Sequence, residues 1–303
     1  MAAETQVRPE AAAGGPPDAA PRRRRRRINP WHFLLAPVAL IFLFPLIQLV
    51  MTSLESDADI NKFPPRFIPS HLTLNGCPCQ GSPAGFIGLF SQSDILRWLL
   101  NTVIVATVAV VSHLVLCSLA GYGFARLRFA GRTLSFFAIV GTIMIPTQLL
   151  MIPTYVMFSR LGVINTLAAA AIPWLASAFG VFLMRQFFLS LPKELEEAAR
   201  LDGCSPYGVF WRIVLPLAKP ALATLSVFTL LSSWNDLIWP LIAISNHNNY
   251  TLQLGLADFL GTRRTQWSML MAGNVVATMP LIAFFLVAQK QFVATMTFSG
   301  LKG

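Results

Sequence analysis

Six separate stretches of this chain are each long and apolar enough to cross a lipid bilayer as a helix, at about residues 33–53, 99–121, 134–158, 167–189, 219–244 and 269–289. Roughly 20 apolar residues at 1.5 Å each cover the hydrocarbon core, and these stretches share that length. A soluble domain would carry about 25% charged residues. Here 12% are charged and 55% apolar, with a mean hydropathy of +0.61. With 23 Phe and 7 Trp, a water-facing surface would hold apolar patches that water does not tolerate. The residues read as an all-α integral membrane protein with six transmembrane helices.

Orientation follows from the basic residues. An even number of spans puts both termini on one side. The run Arg22 to Arg27, just before the first span, assigns that side to the cytoplasm. Of the 23 basic residues, six then fall outside (Lys62, Arg66, Arg97, Arg160, Arg263 and Arg264), and the other 17 lie in or beside the inside segments. The opposite orientation would invert this positive-inside bias. The net charge of +10 is therefore a topology signal, and no nucleic-acid partner is expected. Residues 1–32 read as a disordered, Arg-rich cytoplasmic tail, 33–303 as the six-helix domain and 54–98 as an extracytoplasmic loop. The first span is too long for a signal-peptide core, and no small-residue cleavage site follows it.

Prolines enter five of the six spans, at Pro37, Pro45, Pro146, Pro153, Pro173, Pro240 and Pro280. Each frees a carbonyl and tends to kink its helix, which neighbouring helices or a wet cavity can satisfy. That pattern fits a bundle with an internal path better than a simple anchor. Cys117 and Cys204 read as plain thiols. Cys77 and Cys79 fall in an outer loop, where a bond between them would close a strained ring and His71 alone offers too few ligands for a metal.

Residues 190–218, SLPKELEEAARLDGCSPYGVFWRIVLPLA, form the most informative stretch. Pro192 can open a helix, and Lys193 to Leu201 are good helix formers with three glutamates near the positive end of the helix dipole. Gly203 is placed to end that helix in a left-handed conformation. Ser205-Pro206 restarts it as N-cap and first position, residues 206–215 form a second amphipathic helix, and Pro216 closes it before the fifth span. Such an element suits docking into a groove on another protein, and equally a hairpin on the lipid surface.

Glu197-Ala198-Ala199, then Gly203, Ile213 and Leu215-Pro216 at fixed spacing resemble the EAA signature of ATP-binding-cassette (ABC) importer permeases. The segments Gly121 to Phe129, Trp234 to Pro240 and Gly300 to Gly303 resemble the carbohydrate-uptake branch. More narrowly, they are similar to the smaller six-span permease of maltose and glycerol-3-phosphate importers. The resemblance implies a type I ABC importer permease bundle in a bacterial inner membrane. Glu197, Ala198, Ala199, Asp202 and Gly203 would then face a partner ATPase, and Ile213, Leu215 and Pro216 would fix the second helix. It also implies a heterodimer with a second permease subunit, two ABC ATPase subunits and an extracytoplasmic solute-binding protein. No cofactor is expected on this chain. With no GxxxxGK[ST] loop, ATP and Mg would be used by the partner ATPase.

Candidates for a solute path are Gln148, Ser233, Trp234, Asn235, Asp236 and Asn274. Asp236 is the one acid placed inside a span, a costly position that invites a functional reading. Trp234 and Trp239 could offer faces to a sugar, or belong to the aromatic belt at the outer interface. His113 reads as a satisfied packing residue. A self-sufficient ion-coupled secondary transporter would need several buried acids and broken inverted repeats. A membrane enzyme would need a catalytic constellation, and none is present in the sequence.

Overall fold

The computed structural model describes residues 31–63, 74, 85–261 and 265–299. The Arg22 to Arg27 run, His71, Cys77, Cys79, Arg263, Arg264 and the Gly300 to Gly303 ending lie outside the described residues. Among the described residues all regular structure is helical. The chain divides into two units, residues 1–45 and 46–303. In the first, α1 (Trp31–Ser53) begins and runs unbroken through Pro37 to the boundary at Pro45.

The second unit holds the last turns of α1 and all later elements. Ser56 caps α2 (Asp57–Ile60) by accepting the Asp59 N–H at 3.2 Å. After α3 (Gly85–Gln92), α4 (Ile95–Ser112) passes through one wide turn, His113–Cys117, into α5 (Ser118–Arg126). Then come α6 (Arg132–Gly141) and α7 (Thr147–Arg160), and next α8 (Leu167–Ala171) and α9 (Ala178–Ser190). The loop region holds α10 (Glu194–Leu201), α11 (Pro206–Val209) and α12 (Leu215–Leu217). The chain finishes with α13 (Lys219–Trp234), α14 (Ile238–Ala243), α15 (Leu252–Asp258) and α16 (Trp267–Ser299).

Four segments have the length and hydropathy of a bilayer crossing on their own: Phe33–Ser53, Ile95–Arg126, Leu167–Ser190 and Trp267–Val287. Two bent pairs raise the number to six if each is one span: Arg132–Met144 with Thr147–Arg160, bent by 102°, and Pro206–Leu217 with Lys219–Trp234, bent by 75°. The third apolar stretch of the sequence is the first of these pairs, broken at Ile145 and Pro146, where the ring of Pro146 cannot continue a helix. The fifth stretch also differs from a continuous helix, stopping at Trp234 and resuming at Ile238. Pro153 and Pro280, by contrast, sit inside unbroken helices.

The break between α8 and α9 shows how such gaps are tolerated. Ser112 Oγ donates to the freed Trp174 carbonyl at 3.4 Å, and Cys117 Sγ lies 3.7 Å from that of Ser177. Ser177 Oγ caps α9 by accepting the Gly180 N–H at 3.0 Å. Buried His113 has Nδ1 2.9 Å from the Ala109 carbonyl. Backbone left unpaired in lipid would cost several kcal/mol per group, so side chains of α4 and its wide turn make this break affordable.

Two buried clusters hold the unit together. One gathers Leu89, Ile95, Trp98, Trp234, Trp239 and Leu252 with their neighbours. The other joins Cys117, Tyr122 and Ala125 of the α4–α5 segment to Val181, Met184 and Phe188 of α9 and to Phe210 and Val214 of the loop. α5 and α9 meet backbone to backbone at Gly121. A Cβ there would lie 2.7 Å from Met184 Cβ and 2.9 Å from the Arg185 amide nitrogen. Small residues permit such close approach where lipid supplies no hydrophobic drive between helices.

Candidate functional site

The 190–218 loop folds as two helical pieces about a left-handed glycine. α10 ends when Gly203 turns to φ +84°, and the closing bonds run from Gly203 N–H to the Arg200 carbonyl and from Cys204 N–H to the Ala199 carbonyl, both 3.0 Å. The second is the six-to-one bond of a Schellman ending. Ser205 then caps α11, its Oγ accepting the Gly208 N–H at 3.2 Å, with Pro206 at the first positions. Pro216 differs from the sequence reading. It sits inside the last short turn, and the chain bends two residues later, at Ala218, before Pro220 in the first turn of α13.

The loop's apolar face is spent inside this chain. Ala199, Val209, Phe210, Val214 and Ala218 are buried in the second cluster, with Ile213 and Leu215 half-buried against it. The alanines of the EAA triplet are thus divided: Ala199 turns inward, while Glu197, Ala198, Asp202 and Gly203 are exposed. Of the loop's five exposed large apolar side chains, Leu195, Leu201, Tyr207, Trp211 and Leu217, the two that protrude furthest were missed by the sequence reading: Leu201 at 90% exposure and Tyr207 at 80%. Their signal was their position on the loop's polar side, off the packed apolar stripe.

A buried polar anchor ties α10 to α5. Arg126 Nε lies 2.5 Å from Glu196 Oε1, and neither atom has another partner. Tyr122 donates its hydroxyl to Glu196 Oε2 at 3.2 Å, and Arg126 Nη2 donates to the Leu191 carbonyl at 2.7 Å. Position 196 precedes the EAA triplet and was passed over in the sequence, where a glutamate on a charged helix face gives no sign of burial.

The solute-path candidates do not converge. Trp234 and Trp239 are buried, donating Nε1–H to the Ala277 carbonyl at 3.2 Å and the Ala169 carbonyl at 2.8 Å. Ser233 and Asn274 bond back to their own helices, at Leu230 and Leu270. Asp236 sits in the α13–α14 break and accepts Trp174 Nε1–H at 3.0 Å, joining two broken helices. Gln148 and Asn235 are exposed.

A second polar clamp, also unread in the sequence, holds the segment between α14 and α15. Asn101 Nδ2 donates to the Asn248 and Tyr250 carbonyls, both at 2.9 Å, and Thr102 Oγ1 accepts the Leu252 N–H at 2.7 Å. Asn165, itself at φ +69°, accepts the Ser245 and Asn246 amides at 2.8 and 2.7 Å. Among the described residues no three His, Cys, Asp or Glu side chains converge as metal ligands.

Residues 81–297 match the family described as the binding-protein-dependent transport system inner membrane component. The chain belongs to this family. The matched region contains the whole helix–glycine–helix loop, so this member carries the loop inside the family domain and not on an appendage. Among its relatives, the arabinooligosaccharides transport system permease protein AraQ of Halalkalibacterium halodurans is 35% identical over 88% of this chain and 93% of its own length. The sn-glycerol-3-phosphate transport system permease protein UgpE of Yersinia pestis is 32% identical over 86% and 93%. A chain of a bacterial ABC transporter that imports the acidic polysaccharide alginate superposes with a TM-score of 0.73 at 25% identity, covering 86% of this chain and 94% of that one. A chain of the MetNI methionine ABC transporter shares the fold, with a TM-score of 0.54.

Proposed function

We propose that this family member is the permease subunit of an ATP-driven importer for sugars or related polar solutes, and that its 190–218 loop couples it to a separate ATPase. The carrying observation is the division of the loop's faces. Its apolar face is packed into the bundle, while Glu197, Ala198, Asp202 and Gly203 are presented beside the protruding Leu201 and Tyr207. A rigid helical hairpin with two apolar anchors on an exposed polar face suits a groove on another protein. Ile213, Leu215 and Pro216 would set the exit of the second helix toward α13.

In this reading the two bent pairs are spans, giving six, with both termini in the cytoplasm of a bacterial inner membrane. Residues 1–32 are the cytoplasmic tail, 33–303 the permease domain and 54–98 the outer loop. The partners are a second permease subunit, two ABC ATPase subunits that use ATP and Mg, an extracytoplasmic solute-binding protein, and the surrounding lipid. Half of the solute path belongs to this chain, with Gln148 and Asn235 as its accessible candidates. The sugar assignment draws on the relatives whose names carry arabinooligosaccharides and sn-glycerol-3-phosphate.

Reconstitution into vesicles with the co-encoded subunits tests this directly. Arabinooligosaccharide or glycerol-3-phosphate uptake should need ATP, the partner ATPase and the solute-binding protein together. Uptake by this chain alone, without ATP, would sink the reading in favour of an ion-coupled carrier.

A further inference from the structure

A cleft of about 630 Å³ opens where α5 ends, α6 begins, α9 ends and α10 begins. Arg128, Arg132, Lys193 and Arg200 line it, beside the paired Arg126 and Glu196. Among the described residues, none of those first four cations forms an ion pair. Glu197 is the one lining acid outside the Arg126 pair, so the cleft carries a clear positive excess. An anion entering it meets more cations than the protein itself neutralises.

The position of the cleft narrows the choice of anion. Arg126 closes the apolar segment Ile95–Arg126, Arg132 opens Arg132–Met144, and Leu189 lies in the last turn of Leu167–Ser190. Three apolar spans thus end on one pocket, the depth at which lipid headgroups lie. Leu127, Phe129 and Leu134 are exposed in and beside the intervening turn. Basic side chains next to exposed apolar ones match a headgroup and the acyl chain below it. A second cleft of about 470 Å³ shares Arg128 and Arg132 and includes Phe129 and Leu134. It adjoins the start of α6, where Gly131 supplies no side-chain cap and the first amides add partial positive charge.

We propose that this basic cleft binds the phosphate of an anionic phospholipid headgroup, with Arg128 and Arg132 as its principal contacts. Soluble phosphate offers the same anion but has nothing to place against Leu127, Phe129 and Leu134. The inference rests on reading these helices as spans; the cleft shares Lys193, Glu197 and Arg200 with the 190–218 loop, whereas its principal contacts Arg128 and Arg132 lie outside that loop.

The test uses the full chain in neutral detergent, with dioleoylphosphatidylglycerol and dioleoylphosphatidylcholine as probes and retained lipid counted by native mass spectrometry. The wild type should prefer phosphatidylglycerol. Replacing both arginines (Arg128→Gln, Arg132→Gln) should cut that preference on the order of twentyfold, since each basic residue near a lipid surface contributes about fivefold. Phosphatidylcholine binding should fall much less, because its choline cation already offsets the phosphate it shares with phosphatidylglycerol, and the far-ultraviolet circular dichroism should not change. Arg128→Lys with Arg132→Lys should keep most of the preference. If the double glutamine variant loses its fold, Arg128→Gln alone, at an exposed side chain, should show the smaller fivefold loss. An unchanged phosphatidylglycerol preference in the folded variant would overturn the proposal. So would displacement of the lipid by inorganic phosphate.

Discussion

Arg126 Nε and Glu196 Oε1 meet at 2.5 Å in a buried ion pair that joins the end of α5 to the first turn of α10. The Tyr122 hydroxyl and the Leu191 carbonyl complete its hydrogen bonding. The exposed half of α10 is thereby fastened to a membrane helix by polar contacts as well as by Ala199 and Phe210.

Arg126→Leu leaves the Glu196 carboxylate buried and unpaired, which costs about 3–5 kcal/mol. The thermal unfolding midpoint in detergent should fall sharply. Glu196→Gln should also destabilise, because its one amide oxygen can accept from Arg126 or from Tyr122 but not from both. The pair of changes Arg126→Leu and Glu196→Leu should recover most of the loss. A single variant as stable as the wild type would show that the pair carries no load.

Gly203→Val places a β-branched residue at φ +84°, where even an ordinary side chain costs roughly 1–2 kcal/mol. Among the described residues, no atom beyond its two chain neighbours stands within 4 Å of the position a Cβ would take, so the defect is in the backbone and not in packing. The variant should remain in the membrane while ATP hydrolysis by the partner separates from uptake. Gly203→Asp should act in the same direction. Normal uptake by the valine variant in the reconstituted system would contradict a coupling role for this turn.

Asp236→Asn separates a structural acid from a solute-binding one. An asparagine oxygen can still accept the Trp174 Nε1–H bond, so stability and uptake should stay within about twofold of the wild type. Asp236→Leu removes the acceptor and leaves Trp174 unpaired, at a cost of about 1–3 kcal/mol in the unfolding midpoint. A large rise in the KM for solute with Asp236→Asn would instead make this carboxylate a contact of the path.

Glu55 sets a pH dependence. Burial, reinforced by Asp59, raises its pKa above the ordinary carboxylate value, so the folded chain holds this proton more tightly than the unfolded chain. Stability from this group is present at low pH. It is lost as pH rises from the unfolded value, about 4.3, through the raised folded one. Glu55→Gln removes the dependence. Its midpoint should match the wild type in acid and exceed it increasingly toward neutral pH, and parallel curves would exclude the effect.

The sequence exposed those features governed by local rules. Apolar length marked the spans, Gly203 its left-handed turn, and Ser205-Pro206 the restart of the helix, because each depends on a residue and its immediate neighbours. Pro146 signalled a kink in the third stretch but not a bend of 102°, and the break at Asn235–Leu237 was hidden, since continuous hydropathy gives no sign of a bend. Pro173 beside one break and Pro153 inside an unbroken helix look alike in one dimension. Burial of Glu196 and the Asn101 and Asn165 clamps were hidden for another reason. Each joins positions far apart in the chain, and a lone polar residue does not name its partner. Trp234 and Trp239 read as sugar-facing or interfacial rings for the same reason, while in the structure both are buried, with acceptors on α16 and α8.

The 75° bend between the loop and α13 turns on Ala218, a fully buried residue whose N–H is shared between the Val214 and Leu215 carbonyls, both at 3.1 Å. It works as a fulcrum. The 16-residue helix beyond it is a lever arm about 24 Å long, so a 10° tilt at Ala218 would swing its far end by about 4 Å. That end is Trp234, next to the break that holds Asp236. A small tilt of α13 about Ala218 would therefore be enlarged at Trp234.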